Sequence, residues 1–304
     1  MKKDYHFCIS GQNELICRTE PDYIRAFNCL AISAFKTNST LLADAIMSNH
    51  IHVCIRSENI QSFIKDFRYS YTRYFNRKYG RVGSLGESCA FLSELQGYYH
   101  IMAVISYVLR NPVHHGVART PFAYKYCSAS AYFQSDMGLN GEVCLLPQKS
   151  CYKYLPKACI KPDHFLMGID GQILRETVLD IVDVEYKYAT VRSFLYYMNR
   201  LSGEEWRLEQ EKDNISAPSV DISTIEPATL GQSVQEMLHN EHGKRKIGIT
   251  DIELCSLVDN KLLPMYHQES VYSLSERNKY DLLYLLKNEY NINDKQARRC
   301  LKML

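Results

Sequence analysis

The chain has 304 residues, of which 46% are apolar and 23% charged, so it can bury a core and is neither disordered nor fibrous. No run approaches the ~18 apolar residues that a membrane span needs, and no apolar stretch follows Lys2 and Lys3. We therefore expect neither membrane contact nor a secretory signal. The 11 cysteines include no Cys-x-x-Cys pair, which indicates reduced thiols in a cytoplasm and argues against disulfide frameworks and zinc-thiolate sites.

The net charge of +2 conceals an asymmetry along the chain. Residues 1–135 carry 15 Lys and Arg against 9 Asp and Glu, whereas residues 136–304 carry 21 against 25. The first part is therefore basic and the second acidic. Such an asymmetry points to a polyanionic partner for the basic part.

Strands and helices alternate in residues 1–135. The predicted order is a strand at 5–9, a helix at 23–35, strands at 41–46 and 51–55, a helix at 60–79, a strand at 90–95 and a helix at 98–110. The long helix should end at Gly80, and Pro112 should stop the last one. This order predicts an α+β domain, a ferredoxin-like antiparallel sheet with helices.

The remainder differs in character. We predict a linker and helical segment over 136–215, helical at 175–201, and then a linker and a C-terminal helical region over 216–304. Ser275 and Asn293 are placed to cap two helices of a partial helix-turn-helix. Because this part is acidic, a helical accessory or protein-contact module fits it at least as well as a DNA-binding one.

Asn49-His50-Ile51-His52-Val53 is the most pronounced local motif. Side chains two apart in a strand point to the same face, so His50 and His52 project together while Ile51 and Val53 face the core. Two adjacent imidazoles can bind a divalent metal. The alternative is two histidines on a solvent-exposed strand face, where they would contribute little to the core.

A second motif lies late in the helix predicted at 98–110. Tyr107 and Asn111 are four residues apart and therefore share a helix face. Asn111 could add an amide oxygen to the two imidazoles, and Tyr107 would then stand beside the metal. The alternatives are that Tyr107, one of 23 tyrosines, only packs in the core, and that Asn111 caps the helix before Pro112.

Together these motifs resemble the HUH-type single-strand DNA transposases that use one tyrosine, in particular the REP-associated tyrosine transposases. The resemblance rests on the His-hydrophobic-His strand around His50 and His52. It rests equally on the stretch from Tyr107 to Gly116, whose Asn-Pro-Val-x-x-Gly sequence is typical of that family. It covers residues 1–135 and implies the fold of an HUH endonuclease there.

The resemblance also implies a chemistry. His50, His52 and Asn111 would hold Mg²⁺ or Mn²⁺ to polarise a scissile phosphate. Tyr107 would attack the phosphorus to give a 5′-phosphotyrosine and a free 3′-hydroxyl. A second 3′-hydroxyl can reverse that step, so the enzyme would cut and rejoin single-stranded DNA at hairpin-associated sites. The sequence identifies no base for the phenol, although His100 and His114 are candidates.

The helix predicted at 60–79 interleaves cations with aromatic residues. Cations bind phosphates and aromatic rings stack on bases, the combination used by proteins that bind single strands. The candidate DNA contacts are Lys65, Arg68, Arg73, Arg77 and Lys78. An ordinary amphipathic helix with a solvated basic face would show the same pattern.

Two other functions are compatible with these motifs. A domesticated DNA- or RNA-binding regulator would keep the fold without the chemistry. A metal-dependent hydrolase would use the histidines while Tyr107 stays structural. Related transposases occur as monomers and as dimers with shared sites, so the sequence also leaves open a homodimer in which Tyr107 acts on a partner's histidines. The co-occurrence of both histidines, Tyr107 and Asn111 favours the transposase.

Overall fold

The computed structural model of the protein describes residues 2–11, 14–88, 90–139, 141, 143–157, 159, 161–199 and 249–303. The strands are β1 (Lys3–Ser10), β2 (Thr40–Ile46), β3 (His50–Ser57) and β4 (Phe91–Leu95). The helices are α1 (Glu20–Lys36), α2 (Ile60–Tyr79), α3 (Tyr98–His114), α4 (Gln148–Cys151), α5 (Ile181–Tyr188), α6 (Val191–Met198), α7 (Asp251–Leu257), α8 (Glu276–Asn288) and α9 (Asp294–Leu301). None of the helices described is long and apolar enough to cross a membrane.

The four strands form one antiparallel sheet in the order β2-β3-β1-β4. β1 pairs with β3 on one side, with Ser10 opposite His50, and with β4 on the other. β2 completes the sheet next to β3, through a bulge between Leu41 and Ala43. The prediction of an α+β fold around an antiparallel sheet is therefore confirmed.

Helices cover both faces of this sheet. Phe7 of β1 packs edge-on against Phe63 and Phe67 of α2, with ring centroids 6.1 Å apart, so α1 and α2 share one face. α3 covers the other face, where the ring centroid of Tyr107 lies 6.1 Å from that of His6. As a result, the central strands β1 and β3 turn neither face to solvent along most of their length.

Local signals set the ends of the first two helices. Thr19 and Asp22 form a capping box at the start of α1, with Pro21 in its first turn, where a missing backbone N–H costs nothing. The Asp22 carboxylate is fully buried, and it accepts hydrogen bonds from the side chains of Tyr74 and Tyr79. α2 ends at Gly80, whose φ of 62° is the left-handed conformation that glycine adopts without strain.

The last helix of this part runs further than predicted. α3 continues through Pro112 to His114, so the prediction that Pro112 stops it is wrong. A proline removes one hydrogen bond to the preceding turn but leaves the carbonyls around it free to accept. His115 N–H donates to the Asn111 carbonyl, and the N–H of Val117 donates to that of Pro112, which completes the helix end.

The segment predicted to be helical at 175–201 is, over the described residues 175–199, a 3₁₀ turn followed by two short helices. α5 and α6 are separated at Ala189, which has a φ of 62° and ends α5. Buried side chains between residues 161 and 199, including Phe165, Ile173, Val184 and Phe194, belong to the same hydrophobic core as the sheet. The predicted linker at the start of 216–304 lies outside the described residues.

The C-terminal helices form a second core. Leu254, Leu282 and Leu301 pack there around Leu15, which comes from the loop between β1 and α1. The fully buried Arg18 links the same loop to the C-terminal helices by hydrogen bonds. It donates to the Cys300 carbonyl and to the Asp259 carboxylate, both at 2.7 Å. Ser275 and Asn293 cap α8 and α9 as predicted.

Candidate active site

A cluster of histidines lies between α3 and the sheet. The strand register places Cys8 opposite His52 and His6 opposite Cys54, so these side chains share the α3 face with His50. His6, His50 and His52 are each 1% exposed or less. The rings of His6 and His52 stack, with His6 Nε2 and His52 Nδ1 3.0 Å apart.

α3 brings the other two predicted residues to this cluster. Asn111 Oδ1 lies 2.9 Å from His50 Nε2. One helical turn earlier, the Tyr107 ring stands edge-on to that of His52, with centroids 5.4 Å apart. A single chain therefore places both histidines, Asn111 and Tyr107 together.

Two of the structural alternatives for these residues do not hold. The histidines do not lie on a solvated strand face, and the expectation of surface imidazoles is wrong because α3 covers that face. Asn111 is fully buried and directs its amide at His50 instead of capping the helix. The Tyr107 ring does pack against the core, but its hydroxyl is buried with no hydrogen-bond partner among the described residues, which packing alone does not explain.

Both histidines of the motif are neutral at physiological pH. Burial is the main cause, and it lowers the pKa of His50 and of His52 to about 3 each. The neighbouring imidazoles act in the same direction, His52 on His50 and His115 on His52. Neutral imidazole is the form that binds metal ions.

The surroundings of His50 fit a divalent cation. An amide oxygen faces each ring nitrogen, Asn49 Oδ1 at 3.0 Å from Nδ1 and Asn111 Oδ1 at 2.9 Å from Nε2. A neutral imidazole has one N–H, so one of these contacts sets a nitrogen lone pair against an oxygen. A cation between Nε2 and Asn111 would make that contact attractive, since neighbouring ligands of octahedral Mg²⁺ at ~2.1 Å lie about 3 Å apart. Turning the Asn111 amide over would also relieve it, through a hydrogen bond from Nδ2.

The third proposed ligand, His52, is oriented by His6. Its Nδ1 is hydrogen bonded to His6, and its Nε2 lies 3.9 Å from Cys8 Sγ. Ligating histidines commonly have such a partner on the second ring nitrogen. Within the part of the chain that the structure describes, no three His, Cys, Asp or Glu side chains are grouped to hold a metal. The donor set would therefore depend on the Asn111 amide.

The buried histidines predict acid instability. Their folded pKa values lie below the ordinary ~6.5, so the unfolded chain binds protons that the folded chain does not. Their contribution to stability is complete above pH ~6.5, and for His50 and His52 together it falls by about 3 kcal/mol per pH unit below that. Urea denaturation between pH 8 and pH 5, where carboxylates stay ionised, should show this decline. His52→Gln should flatten it, and an unfolding free energy that does not change with pH would contradict it.

Sequence reasoning missed some members of the cluster. His6 and Cys8 alternate in β1, but their place beside His52 depends on the pairing of two strands distant in the chain. The His115 ring centroid lies 4.8 Å from that of His50. The adjacent residue, His114, was a candidate base, but its side chain is exposed. His100, the other candidate, accepts a hydrogen bond from the Gln96 N–H.

The cations of α2 lie on the opposite face of the sheet from the histidine cluster. Lys65, Tyr69, Arg73 and Arg77, spaced four apart, form one exposed row, which we call the α2 stripe. Arg73 donates to the Tyr69 hydroxyl at 3.0 Å. The other two candidate contacts are held within the protein: Arg68 donates to the carbonyls of Glu87 and Ser88, and Lys78 binds Asp22 at 2.6 Å.

Comparison with known proteins gives a distant likeness. No protein-family model and no curated protein match the chain. Among solved structures, it is similar to a REP-associated tyrosine transposase bound to a REP hairpin, at 12% sequence identity and a TM-score of 0.38. That alignment covers 45% of this chain and 79% of the other. These values describe a distant likeness of fold in under half of the chain and transfer no residue role.

Proposed function

We propose that the protein is a single-strand DNA endonuclease and strand transferase that uses Tyr107 as its nucleophile and a divalent metal, Mg²⁺ or Mn²⁺. Residues 1–135 would supply an HUH-type domain of ferredoxin-like topology, and His50, His52 and Asn111 would hold the metal. The DNA partner would be a single strand or hairpin.

One observation carries this proposal: the buried Tyr107 hydroxyl, which has no hydrogen-bond partner in the part of the chain that the structure describes, stands next to neutral imidazoles and an amide oxygen. An unsatisfied buried hydroxyl costs about 1–3 kcal/mol, and such costs are concentrated at functional sites. Because one chain holds all four residues, the arrangement supports an active site within a single subunit, and a homodimer is not required to complete it.

The chemistry follows from the positions of the residues. When bound, the metal would supply a Lewis acid at the scissile phosphate. Tyr107 forms the new oxygen–phosphorus bond as its phenolic proton leaves, and the bond to the 3′ oxygen breaks as that oxygen takes up a proton. His6 fixes the orientation of the His52 imidazole through a contact with its Nδ1, and Asn49 does the same for His50 through the Nδ1 of that ring. The reverse reaction, with another 3′-hydroxyl, rejoins DNA.

A second candidate, a nucleic-acid-binding regulator without catalysis, is favoured by one specific observation. His50, His52 and Asn111 are at most 1% exposed, so a phosphate reaches them only if a covering element moves. A regulator would need no such movement, and its binding surface would be the α2 stripe.

A trapping experiment separates the two candidates. The wild-type protein would be incubated with a pool of hairpin-bearing single strands that have randomised flanks and a label at the 3′ end. With Mg²⁺ or Mn²⁺ we expect a covalent protein–DNA band that survives SDS, because the 3′ fragment stays on Tyr107. EDTA should abolish that band. Strand binding with no covalent band in either metal would favour the regulator.

The α2 stripe should contribute to binding of single strands. Changing Arg73 and Arg77 to alanine removes two exposed cations, and each phosphate contact on a single strand releases roughly 0.7 counterion. We expect weaker binding and a plot of log K against log salt that is shallower by about 1.4. Arg192 and Arg277 are exposed cations away from α2, so their double alanine variant is the matched control. Equal slopes in both variants would place the DNA elsewhere.

A further inference from the structure

Two cysteines of the C-terminal helices lie in contact inside the second core. Cys255 is on α7 and Cys300 on α9, 45 residues apart in the chain, and their Sγ atoms are 3.6 Å apart. Both are free thiols and fully buried. The two sulfurs would have to approach by about 1.5 Å to bond, a shift of the size that rotation of two side chains produces.

The surroundings make the two thiols unequal. The hydrogen bond between them lowers the pKa of Cys300 and raises that of Cys255. The Arg18 guanidinium, with Nη2 4.0 Å from Cys300 Sγ, also lowers the pKa of Cys300, whereas burial raises it. Arg18 is paired with Asp259 as well, so the contact between the sulfurs, and not the charge of the arginine, distinguishes this pair. Because the thiolate is the reactive form of cysteine, Cys300 is the thiol expected to react first.

We infer that Cys255 and Cys300 form a reversible oxidation site, at which hydrogen peroxide produces a disulfide that locks α7 to α9. The inference does not depend on the proposed function. Disulfides of proteins in a reducing compartment are usually transient and redox-sensing, which agrees with the reduced thiols expected from the sequence.

The reaction takes two steps. The Cys300 thiolate attacks one oxygen of the peroxide, the O–O bond breaks, and the hydroxide leaves as water with the proton that the thiol released. The Cys255 sulfur then attacks the Cys300 sulfenic acid, so that the S–S bond forms, the S–O bond breaks and a second water leaves with the Cys255 proton. Each sulfur gives up one electron and the peroxide accepts two. A thiol reductant returns both electrons by exchange.

The two helices joined in this way hold the turn before β3. Asp251, the first residue of α7, accepts hydrogen bonds from Ser48 Oγ and, at 2.9 Å, from Gln296 Nε2 of α9. Ser48 is two residues from His50. The disulfide therefore fixes the pair of helices that contacts the strand carrying the histidine motif.

Peptide mapping of the full chain tests the oxidation site. The reduced protein would be treated with hydrogen peroxide, its remaining thiols alkylated in denaturant, and its peptides identified by mass spectrometry. We expect a linked pair of peptides that contain Cys255 and Cys300 and that dithiothreitol separates. Cys17 is the matched control and should stay reduced, because it is fully buried but bonded to the Tyr71 hydroxyl at 3.3 Å. Protein in which the exposed Cys144 is oxidised while Cys255 and Cys300 are both alkylated would overturn the inference.

Urea denaturation tests the lock. A disulfide between residues 255 and 300 closes a loop that contains α8 and restricts the unfolded chain, so peroxide should raise the midpoint and dithiothreitol should return it. In Cys255→Ser, peroxide should leave the midpoint unchanged, and dimedone should trap a sulfenic acid at Cys300. A midpoint that peroxide raises equally in both proteins, or in neither, would overturn the lock. The peptide map of the wild-type protein stands independently of how well this variant folds.

Discussion

Replacing Tyr107 by phenylalanine is expected to abolish the covalent protein–DNA band and at the same time to make the protein more stable. In the proposed reaction the phenolic oxygen is the atom that bonds to phosphorus, so no adduct can form without it. The same oxygen is buried, and no side chain or backbone group of the described residues forms a hydrogen bond with it, so its removal relieves a desolvation cost. We expect the free energy of unfolding to rise by about 1 kcal/mol, measured by urea denaturation.

Tyr188 provides the control for this variant. Its hydroxyl is also buried, but it is hydrogen bonded to Ser106 Oγ at 2.6 Å and donates to the Met102 carbonyl at 3.3 Å. Tyr188→Phe should therefore lower the free energy of unfolding by about 1 kcal/mol and leave the covalent band intact. A Tyr107→Phe protein that still forms the band would exclude Tyr107 as the nucleophile. If the Tyr107→Phe protein loses stability as the Tyr188→Phe protein does, the Tyr107 hydroxyl has a hydrogen-bond partner in the folded protein.

The largest loss of stability is expected from Arg175→Met. Arg175 and Asp44 form a buried ion pair, at 2.9 Å between Nη2 and Oδ2, with side chains 6% and 0% exposed. The guanidinium also lies 4.3 Å from the centre of the Phe27 ring. Removing the arginine leaves the carboxylate buried and unpaired, which costs about 3–5 kcal/mol. The midpoint of urea denaturation should fall accordingly, and Asp44→Asn in the same protein should recover part of the loss.

Arg56 is the matched control for the ion pair. It also joins the sheet to a later segment, binding Asp4 at 2.8 Å and Asp183 at 3.0 Å, but 27% of its side chain is exposed. Arg56→Met should cost less than about 1 kcal/mol, as solvated ion pairs do. Similar losses in the two arginine variants would contradict a special role for the buried pair.

A fragment that ends at residue 135 lacks Arg175, so we expect it to be unstable by itself.

Local sequence features predicted most of the fold of the first part. Glycine at position 80, Pro21 and the alternation of apolar residues act over a few positions, so the strands and α2 could be placed within a residue or two. The common face of His50 and His52 follows from the geometry of a strand for the same reason. These local features do not depend on where the strand or helix packs in the folded protein.

Features that depend on distant packing could not be predicted in this way. Whether solvent reaches the face of the sheet that carries His50 and His52 depends on α3, which packs there and lies some fifty residues later in the chain. The place of His6 beside His52 depends on the register of β1 with β3. The pair of short helices in place of one at 175–201 likewise reflects packing on the sheet, since Ala189 carries no local signal that ends a helix.

The separation of the α2 stripe from the histidine cluster by the thickness of the sheet has an evolutionary consequence. The two sites share no residue, and substitutions at distant sites have nearly independent effects. One nucleotide change in a tyrosine codon yields phenylalanine, so under the proposed function a lineage could lose the chemistry at Tyr107 in a single step, gain stability and keep its affinity for DNA. Selection on binding alone would then be enough to preserve the rest of the protein, and a strand-cutting enzyme would become a binding protein without passing through an unfolded form.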